Sequence, residues 1–285
     1  MDKSIDKIDK SIDNISSQGI AVSVGISFYN AQQFLAEAIT SVINQTFTDW
    51  ELLLIDDGST DNSLDIARRF ENSDNRIRVI SDGTNKGLSA RLNELVAMSS
   101  GKYFARMDAD DVMHPERLSA EYDYLHAHTD VDVVGTGVIT IDVNGNHIGR
   151  INYDEHPCTI ENVLNHNCFI HPSIMALRAW FVNNPYDTNA VRMEDFNLWM
   201  RTIDTNNFRN LPQALMYYRT NGLPYTRKYL QSQMGELKEI RRHKSKIKRY
   251  GIIVLKIYAK CLIYLVCGAL GCTNLLLKLR TKSID

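Results

Sequence analysis

The sequence has little net charge and few cysteines, and both scarcities exclude classes of protein. Its 32 basic and 34 acidic residues leave a formal charge of −2, so bulk charge gives no support to nucleic acid as a partner. The five cysteines are odd in number and lack the spacing of metal ligands, and no secretory signal peptide precedes them. A reducing cytosolic setting is the simplest inference. At 285 residues the chain can bury one substantial core plus an appendage.

Several motifs of nucleotide and ester chemistry are also missing. The first apolar run ends without the G-x-G-x-x-G fingerprint of dinucleotide-dependent oxidoreductases. The chain has neither a Walker P-loop nor a G-x-S-x-G nucleophile elbow. A nucleotidyltransferase would use a glycine-rich loop for a triphosphate, whereas Ser27-Phe28-Tyr29-Asn30 stands at that place. These absences leave a nucleotide site of another kind as the better hypothesis.

From Ile20 onward, apolar runs alternate with amphipathic segments of helical length. The predicted strands are residues 20–28, 51–55, 76–80 and 102–107, and the predicted helices are residues 31–44, 61–70, 88–98 and 115–126. This alternation is typical of an α/β fold, with a mostly parallel sheet flanked by helices. Ligands of such sheets bind beyond the carboxyl ends of the strands, and polar clusters follow three of the four predicted strands.

Three carboxylates follow the fourth strand in Met107-Asp108-Ala109-Asp110-Asp111. Like charges this close repel strongly at the edge of a core, and a divalent cation removes the conflict. Oxygen ligands suit Mg²⁺ or Mn²⁺, and an ion held by one or two carboxylates completes its coordination with phosphate oxygens. The alternative is a solvated acidic turn that caps the helix beginning at Pro115.

The ends of the first two strands suit a nucleobase. Tyr29 could stack on a base while Asp57 accepts a hydrogen bond from a ring N–H group. The structural alternative is equally supported, because Asp-Gly-Ser is good turn chemistry and Asp61 could cap the next helix.

Taken in order, these motifs resemble the family 2 glycosyltransferases, which are inverting enzymes of the GT-A (Rossmann-like) fold. The resemblance spans about residues 22–218 and lies in six segments: 22–30, 41–46, 56–61, 85–91, 108–111 and 194–199. It implies a nucleoside site, usually for uridine, and an Asp-x-Asp pair formed by Asp108 and Asp110, with Asp110 as the direct ligand of Mn²⁺ or Mg²⁺. The nucleotide-binding residues that it implies are Ser27, Tyr29, Asp57, Arg91 and Asp108.

Sugar transfer requires a base as well as a metal ion. Negative charge builds on the leaving diphosphate, where a metal acts as a Lewis acid, while the acceptor hydroxyl loses its proton on the opposite face of the sugar. The resemblance implies that Asp195 is this base and that Glu194 supports it. Both residues precede an apolar segment and would lie at a helix N-terminus, so simple capping is the alternative.

Two further positions resemble family motifs less closely. His171, in a His-Pro-Ser sequence, could contact the diphosphate or the acceptor, although a lone histidine is more often structural. The family's closing Tyr-Arg-x-His resembles Tyr218-Arg219-Thr220-Asn221, in which Asn221 replaces the histidine that can assist the metal. An amide oxygen is a weaker ligand than imidazole for Mn²⁺, so this departure puts the number of protein ligands in doubt.

The two ends of the chain are predicted to be appendages. Residues 1–19 form a polar tail, residues 20–225 the catalytic domain, and residues 226–285 a basic and then apolar helical region. Within the domain, residues 20–112 are predicted to bind the nucleotide-sugar and residues 113–225 the acceptor. The apolar run from Ile252 to Leu279 favours a monotopic membrane anchor, with a membrane-spanning tail and a soluble dimer-forming helix as alternatives.

The expected function is an inverting glycosyltransferase at the cytoplasmic face of the cell membrane. It would move a sugar from a nucleotide-sugar, most simply a UDP-sugar, to a hydroxyl of a saccharide on a lipid-linked intermediate of polysaccharide assembly. The alternative function is a nucleotide-sugar-binding scaffold or regulator with the same fold and no transfer activity. The presence of both Asp110 and Asp195 argues against it.

Overall fold

A computed structural model describes residues 19–153, 157–220 and 226–270. The predictions made for the polar N-terminal tail, for Asn221 and for the apolar run beyond residue 270 lie outside these residues.

The first half of the domain alternates strands and helices: β1 (Val22–Phe28), α1 (Leu35–Ile43), β2 (Trp50–Asp56), α2 (Ser63–Ser73), β3 (Ile77–Ser81), α3 (Leu88–Met98) and β4 (Tyr103–Asp108). β1 pairs in parallel with β2 and β4, and β2 pairs in parallel with β3. The carboxyl ends of these four strands therefore share one edge. The predicted alternation is confirmed, and the largest shift of a start is at α1, which begins four residues later than expected because the N–H groups of Ala31 and Gln32 are held by Ser63 and Asp61.

The central strands are buried on both faces, as parallel strands covered by helices usually are. On β2, Leu52 and Leu54 pack into one core cluster with α1 and α2, while Leu53 and Ile55 point the other way into a second cluster. Gly25 in β1 makes room for Phe104 on β4, because a Cβ atom at Gly25 would lie 2.3 Å from the phenyl ring. Side-chain alternation thus builds two cores from one sheet.

The second half adds mixed pairings to the same sheet. Its elements are β5 (Val112–Met113), α4 (Arg117–Ala127), β6 (Val133–Ile141), β7 (His147–Ile151), α5 (Ile160–Leu164), β8 (Met175–Leu177), α6 (Arg178–Asn183), α7 (Glu194–Thr202) and β9 (Phe208–Arg219). Within the described residues the sheet has nine strands in the order β3-β2-β1-β4-β8-β6-β9-β5, and β7 pairs with β6. Strands β6 and β9 run with β4, whereas β5, β7 and β8 run against their neighbours. The α/β fold with a mostly parallel sheet is confirmed.

Two C-terminal helices, α8 (Thr226–Arg242) and α9 (Tyr250–Ala269), follow the sheet and confirm the predicted helical appendage. Asn197 on α7 donates a hydrogen bond to Glu239 on α8 at 2.9 Å, and the rings of Tyr229 and Tyr264 join α8 to α9 by stacking at 3.5 Å between centroids. Among the described residues, α9 is the one helix long and apolar enough to cross a membrane, with a mean hydropathy of 2.0 and only 6% of its apolar window buried.

Candidate active site at the carboxyl edge of the sheet

The loops after β1 and β2 are tied to each other at the carboxyl edge. The amide oxygen of Asn30, a residue with a positive φ of 50°, accepts a hydrogen bond from the N–H of Thr60 at 2.8 Å. The hydroxyl of Ser59 accepts a bond from the N–H of Asn30 at 3.0 Å. Asp61 accepts bonds from the N–H groups of Gln32 and Ser63, so it links the two loops as well as serving the start of α2. The edge is therefore preorganised by backbone donors rather than left to loop flexibility.

Asp57 lies just beyond β2 and is 6% exposed. Its Oδ1 accepts hydrogen bonds from the N–H of Lys86 at 2.7 Å and from Nε of Arg91 at 2.9 Å. Its Oδ2 accepts one bond, from the N–H of Gly87 at 3.1 Å. The second oxygen thus retains acceptor capacity toward the carboxyl edge, as the predicted contact with a ring N–H requires.

Arg91 is fully buried, and its place in the structure is more internal than the sequence suggested. Its guanidinium bonds Asp57, Asp82 and Glu94, together with the carbonyl of Thr84. All five N–H donors of an arginine are then in use within the protein. Arg91 therefore lies behind the loops that follow β2 and β3, where it positions Asp57, and it has no donor left for a phosphate.

Ser27 and Tyr29 stand at the end of β1. Ser27 is opposite Asp108 in the register of β1 with β4, and Tyr29 follows the strand with 52% of its surface exposed. A ring that projects from the carboxyl edge is free to stack on a flat ligand. The structure therefore gathers Ser27, Tyr29, Asp57 and Asp108 along one edge.

The carboxylates of Asp108, Asp110 and Asp111 form a cluster whose oxygens lie within 4.8 Å of one another. Asp111 is 1% exposed and so is not a solvated turn residue, whereas Asp108 and Asp110 are partly exposed, and α4 begins after Glu116 without a side-chain cap. Oδ1 of Asp111 accepts the N–H of Arg219 at 2.8 Å, whereas Oδ2 is buried without a hydrogen-bond partner. An unpaired buried carboxylate oxygen beside two others fits a hard divalent cation.

The electrostatics of the cluster point the same way. Burial, and then the neighbouring charge of Asp108, raise the pKa of Asp110 and raise that of Asp111 well above its usual range. Arg219 holds the loop in place through its side chain, donating to the carbonyls of Asp110 at 2.8 Å and Asp142 at 2.9 Å. Because the loop is fixed from outside, the carboxylates cannot move apart to relieve their repulsion.

A cleft of about 890 Å³ opens beside this cluster. Asp108 and Arg106 lie on its wall together with Glu194 and Asp195 from the start of α7 and the side chain of His171. The predicted helix at this acidic pair is confirmed, since α7 runs Glu194–Thr202. The cleft therefore joins one end of the acidic cluster to the acid pair that the family resemblance assigns to the acceptor side.

The acid pair is partly buried, and this changes its chemistry. Burial, and then the charge of Asp195, raise the pKa of Glu194 to about 7. Burial also raises the pKa of Asp195, while the N–H of Phe196, the guanidinium of Arg106 and the ring of His166 oppose the rise. The residue N-terminal to the helix is Met193, which has no side-chain cap, and Oδ1 of Asp195 accepts the N–H of Phe196 at 2.6 Å. Asp195 thus keeps its Oδ2 for another partner.

His171 is buried against Tyr186, with 2.9 Å between Nε2 and the phenol oxygen. Burial and the charge of Arg106 hold the pKa of His171 well below its usual range, so the ring is neutral. It lines the cleft at 8% exposure. The ring is placed to contact a ligand through one edge only, because Tyr186 occupies the other.

Arg106 is the site residue that the sequence reasoning missed. It is 2% exposed, its Nη2 pairs with Oδ1 of Asp108, and its Nε and Nη1 have no hydrogen-bond partner among the described residues. The sequence did contain a signal, because side chains alternate between the two faces of a strand. Arg106 is a charged residue inside an apolar strand, two residues before Asp108, so it lies on the same face as that carboxylate. Arg106 is therefore a permanent cation with unpaired N–H donors, and it faces the cleft between the acidic cluster and the Glu194–Asp195 pair.

The sequence profile described as "Glycosyl transferase family 2" matches residues 23–198, more than half of the chain. The chain belongs to glycosyl transferase family 2. It is 36% identical over 221 residues to EpsE of Bacillus subtilis (strain 168), which bears a glycosyltransferase name, and the match covers 74% of this chain and 77% of EpsE. It is 29% identical over 186 residues to "UDP-Glc:alpha-D-GlcNAc-diphosphoundecaprenol beta-1,3-glucosyltransferase WfgD" of Escherichia coli, covering 65% of this chain and 71% of WfgD.

Solved structures confirm the GT-A type of fold for this family 2 member. S. aureus TarS in complex with UDP superposes with a TM-score of 0.63 at 19% identity, over 84% of this chain and 70% of TarS. The mannosyltransferase PcManGT of Pyrobaculum calidifontis, in complex with GDP-Man and Mn²⁺, gives a TM-score of 0.62 at 13% identity, over 99% of this chain and 88% of PcManGT. The chain is thus a family 2 glycosyltransferase, as its resemblance to the family predicted.

Proposed function

We propose that this protein is an inverting glycosyltransferase that moves a sugar from a UDP-sugar to a hydroxyl of a lipid-linked saccharide at the cytoplasmic face of the membrane. The observation that supports it most strongly is the shared cleft, which lies between a carboxylate of the acidic cluster and the Glu194–Asp195 pair. A donor bound at the edge of the sheet would present its anomeric carbon to the cleft, and an acceptor in the cleft would face Asp195.

The donor side is assigned to residues 20–112. Tyr29 would stack on the base, Asp57 would accept its ring N–H through Oδ2, and the end of β1 at Ser27 would contact the nucleoside. WfgD is named for a UDP-Glc donor, TarS was solved with UDP, and these names favour a uridine nucleotide here. Arg91 would assist indirectly, by holding Asp57.

The acidic cluster fits a divalent cation, as its unpaired Asp111 oxygen and oxygen-only donor set indicate. Asp110 and Asp108 would hold Mn²⁺ or Mg²⁺, with Asp111 as a further carboxylate. When bound, the ion would offset the charge that collects on the leaving diphosphate. PcManGT was solved with Mn²⁺, which favours the same class of ion in this chain.

The acceptor side is assigned to residues 113–225, with Asp195 as the base. Asp195 would take the proton of the acceptor hydroxyl as its oxygen forms a bond to the anomeric carbon and the bond from that carbon to the diphosphate breaks on the opposite face. A raised pKa makes a carboxylate a better proton acceptor near neutral pH, provided that it stays ionised. Arg106 and the ring of His166 favour the ionised form. Glu194 would support this base, and His171 would contact the diphosphate or acceptor.

The membrane assignment rests on the two faces of α9. Ile257, Cys261 and Tyr264 are buried against the domain, whereas the opposite face exposes Leu255 by 70% and Leu262 by 62%, among other apolar side chains. A helix whose inner face packs on its own domain suits a position in the plane of the interface rather than across the bilayer. The diphosphoundecaprenol in the name of WfgD favours a lipid-linked acceptor here too.

The membrane assignment predicts that α9 binds lipid through its outer face. Replacing Leu255 and Leu262 together with Gln should weaken partitioning into anionic vesicles by about 3 kcal/mol, roughly a hundredfold, because two leucine side chains lose their apolar contact. Flotation of the purified protein with vesicles measures this. Val191→Gln is the matched control, since Val191 is an apolar side chain of α7's preceding loop that is 73% exposed. Equal flotation of the double variant and the wild type would contradict the assignment.

Calorimetric titration of UDP, GDP, CDP and dTDP, with Mn²⁺ and then with EDTA, tests the proposed donor. Binding of UDP alone, lost on chelation, is the expected result. Binding of GDP instead would replace the donor assignment, and binding that persists in EDTA would remove the metal from it. Failure of every nucleotide to bind the folded protein would favour the non-catalytic scaffold.

A further inference from the structure

The cleft continues beyond the acid pair to a second set of polar side chains, of which the proposed transfer uses only the charge of His166 near Asp195. His166 follows α5, Gln233 and Glu236 lie on α8, and Lys260 lies on α9. The helix pair that follows the predicted catalytic domain is therefore part of the wall of its cleft. A membrane anchor that served only for attachment would have no reason to supply polar groups to this place.

Gln233 is the most informative member of the set. It is 8% exposed, and its Nε2 donates a hydrogen bond to Oε2 of Glu236 at 2.9 Å. An ionised carboxylate only accepts hydrogen bonds, so the amide must turn its nitrogen toward Glu236 and its oxygen away. That oxygen is buried without a hydrogen-bond partner among the described residues. Native proteins rarely leave such an acceptor unpaired, and a ligand donor in the cleft would satisfy it.

The neighbours of Gln233 supply the complementary groups. His166 approaches Glu236 with 3.3 Å between Nε2 and Oε1, and about half of its side chain is exposed. It adopts a positive φ of 53°, a strained conformation for a histidine that the surrounding structure must hold in place. Lys260 is exposed on α9 and forms no salt bridge within the described part of the chain. An acceptor oxygen, an imidazole and an ammonium therefore line one stretch of wall.

The apolar part of this stretch is aromatic. The ring of Phe196 lies 5.5 Å from that of His166, and Tyr264 lines the cleft from α9 while stacking on Tyr229. Sugar rings offer hydroxyl groups at their edges, which both donate and accept, and C–H groups on their faces, which pack on aromatic rings. The wall presents the matching combination, and a cleft of about 890 Å³ is at the large end of ligand pockets, which hold roughly 300–1,000 Å³.

We propose that Gln233, His166 and Lys260 form a saccharide subsite, which binds the acceptor's sugar ring next to the one that is glycosylated. The subsite rests on the proposed function, because its place in the order of rings is set by Asp195 as the base. It assigns the C-terminal helix pair a share in acceptor recognition. Specificity for the acceptor then depends partly on α8 and α9, beyond the 23–198 segment that matches the family profile.

The test measures binding of the methyl glycosides of glucose, galactose and N-acetylglucosamine to the full chain by saturation-transfer NMR. Gln233→Met keeps the length of the side chain and removes its oxygen, so the dissociation constant of the glycoside that binds should rise about tenfold. Lys260→Met, at an exposed position where folding is not at risk, should weaken the same glycoside. Gln231→Met and Lys238→Met are matched controls on exposed positions of α8 and should bind like the wild type.

The outcomes separate the subsite from the proposed function. Weaker binding in both test variants and unchanged binding in both controls supports the subsite. Equal binding in all of them, or no binding of any of the three glycosides to the folded wild type, overturns it. If Gln233→Met fails to fold, Lys260→Met decides. Release of UDP from UDP-glucose, UDP-galactose and UDP-N-acetylglucosamine is followed in parallel, and its absence beside intact glycoside binding would refute the transferase proposal alone.

Discussion

Replacement of Asp195 by Asn is the sharpest test of the proposed mechanism, because the structure separates its effect on chemistry from its effect on binding. Asn keeps the size of the side chain and the Oδ1 acceptor that bonds the N–H of Phe196 at 2.6 Å, so α7 should begin as before. What is lost is an ionised oxygen facing the cleft. Loss of a general base lowers the rate roughly 100- to 10,000-fold, which corresponds to about 3–5 kcal/mol of activation free energy.

The assay is release of UDP from UDP-sugars, with water in place of the unidentified acceptor, alongside calorimetric binding of UDP with Mn²⁺. We expect UDP affinity to change by less than about twofold, since Asp195 is outside the cluster of Asp108, Asp110 and Asp111. Asp123→Asn removes an equal charge from an exposed position on α4 and serves as the control. A rate close to that of the wild type would refute the assignment of the base. A parallel loss of UDP affinity would place Asp195 on the donor side.

Three further changes probe the rest of the site. Asp110→Ala should weaken metal-dependent UDP binding by at least about tenfold in calorimetry, because a direct metal ligand is removed, and unchanged binding would remove Asp110 from the metal site. Glu194 has a pKa of about 7, so it loses its proton as the pH rises through 7; Glu194→Gln should abolish an inflection of the rate near that pH, and an unchanged profile would exclude its titration as the cause. Arg91→Lys keeps the charge but cannot serve Asp57 and the neighbouring acids together, so UDP binding should weaken about tenfold while the metal requirement persists.

The sequence predicted the first half of the fold well because each of its elements is locally encoded. The runs around Val24, Leu53 and Phe104 are apolar enough to be buried on both faces, and the segments between them repeat at helical spacing. The acidic pair at Glu194 was placed correctly at a helix start for the same reason, since charges before an apolar periodic segment favour a helix N-terminus.

The rest of the site depends on contacts that local patterns do not encode. Nothing near Arg91 in the sequence shows that Asp57, 34 positions earlier, would use one of its donors. The order of the strands after β4 is equally non-local: β8 inserts between β4 and β6, and this insertion brings the His171 region beside Arg106. Residues separated by long stretches of chain meet through tertiary packing, which propensity and periodicity do not report.

The single side chain of Arg219, at the end of β9, fastens three distant parts of the chain. Its guanidinium donates hydrogen bonds to the carboxylate of Glu37 at 2.7 Å and to the backbone carbonyls of Asp110 and Asp142. The same guanidinium lies over the aromatic ring of Phe34. The acidic loop therefore cannot be held by Arg219 until β9 has been synthesised, although the residues of the loop leave the ribosome much earlier. During synthesis the carboxylates therefore have no contact with Arg219 until most of the domain has been made.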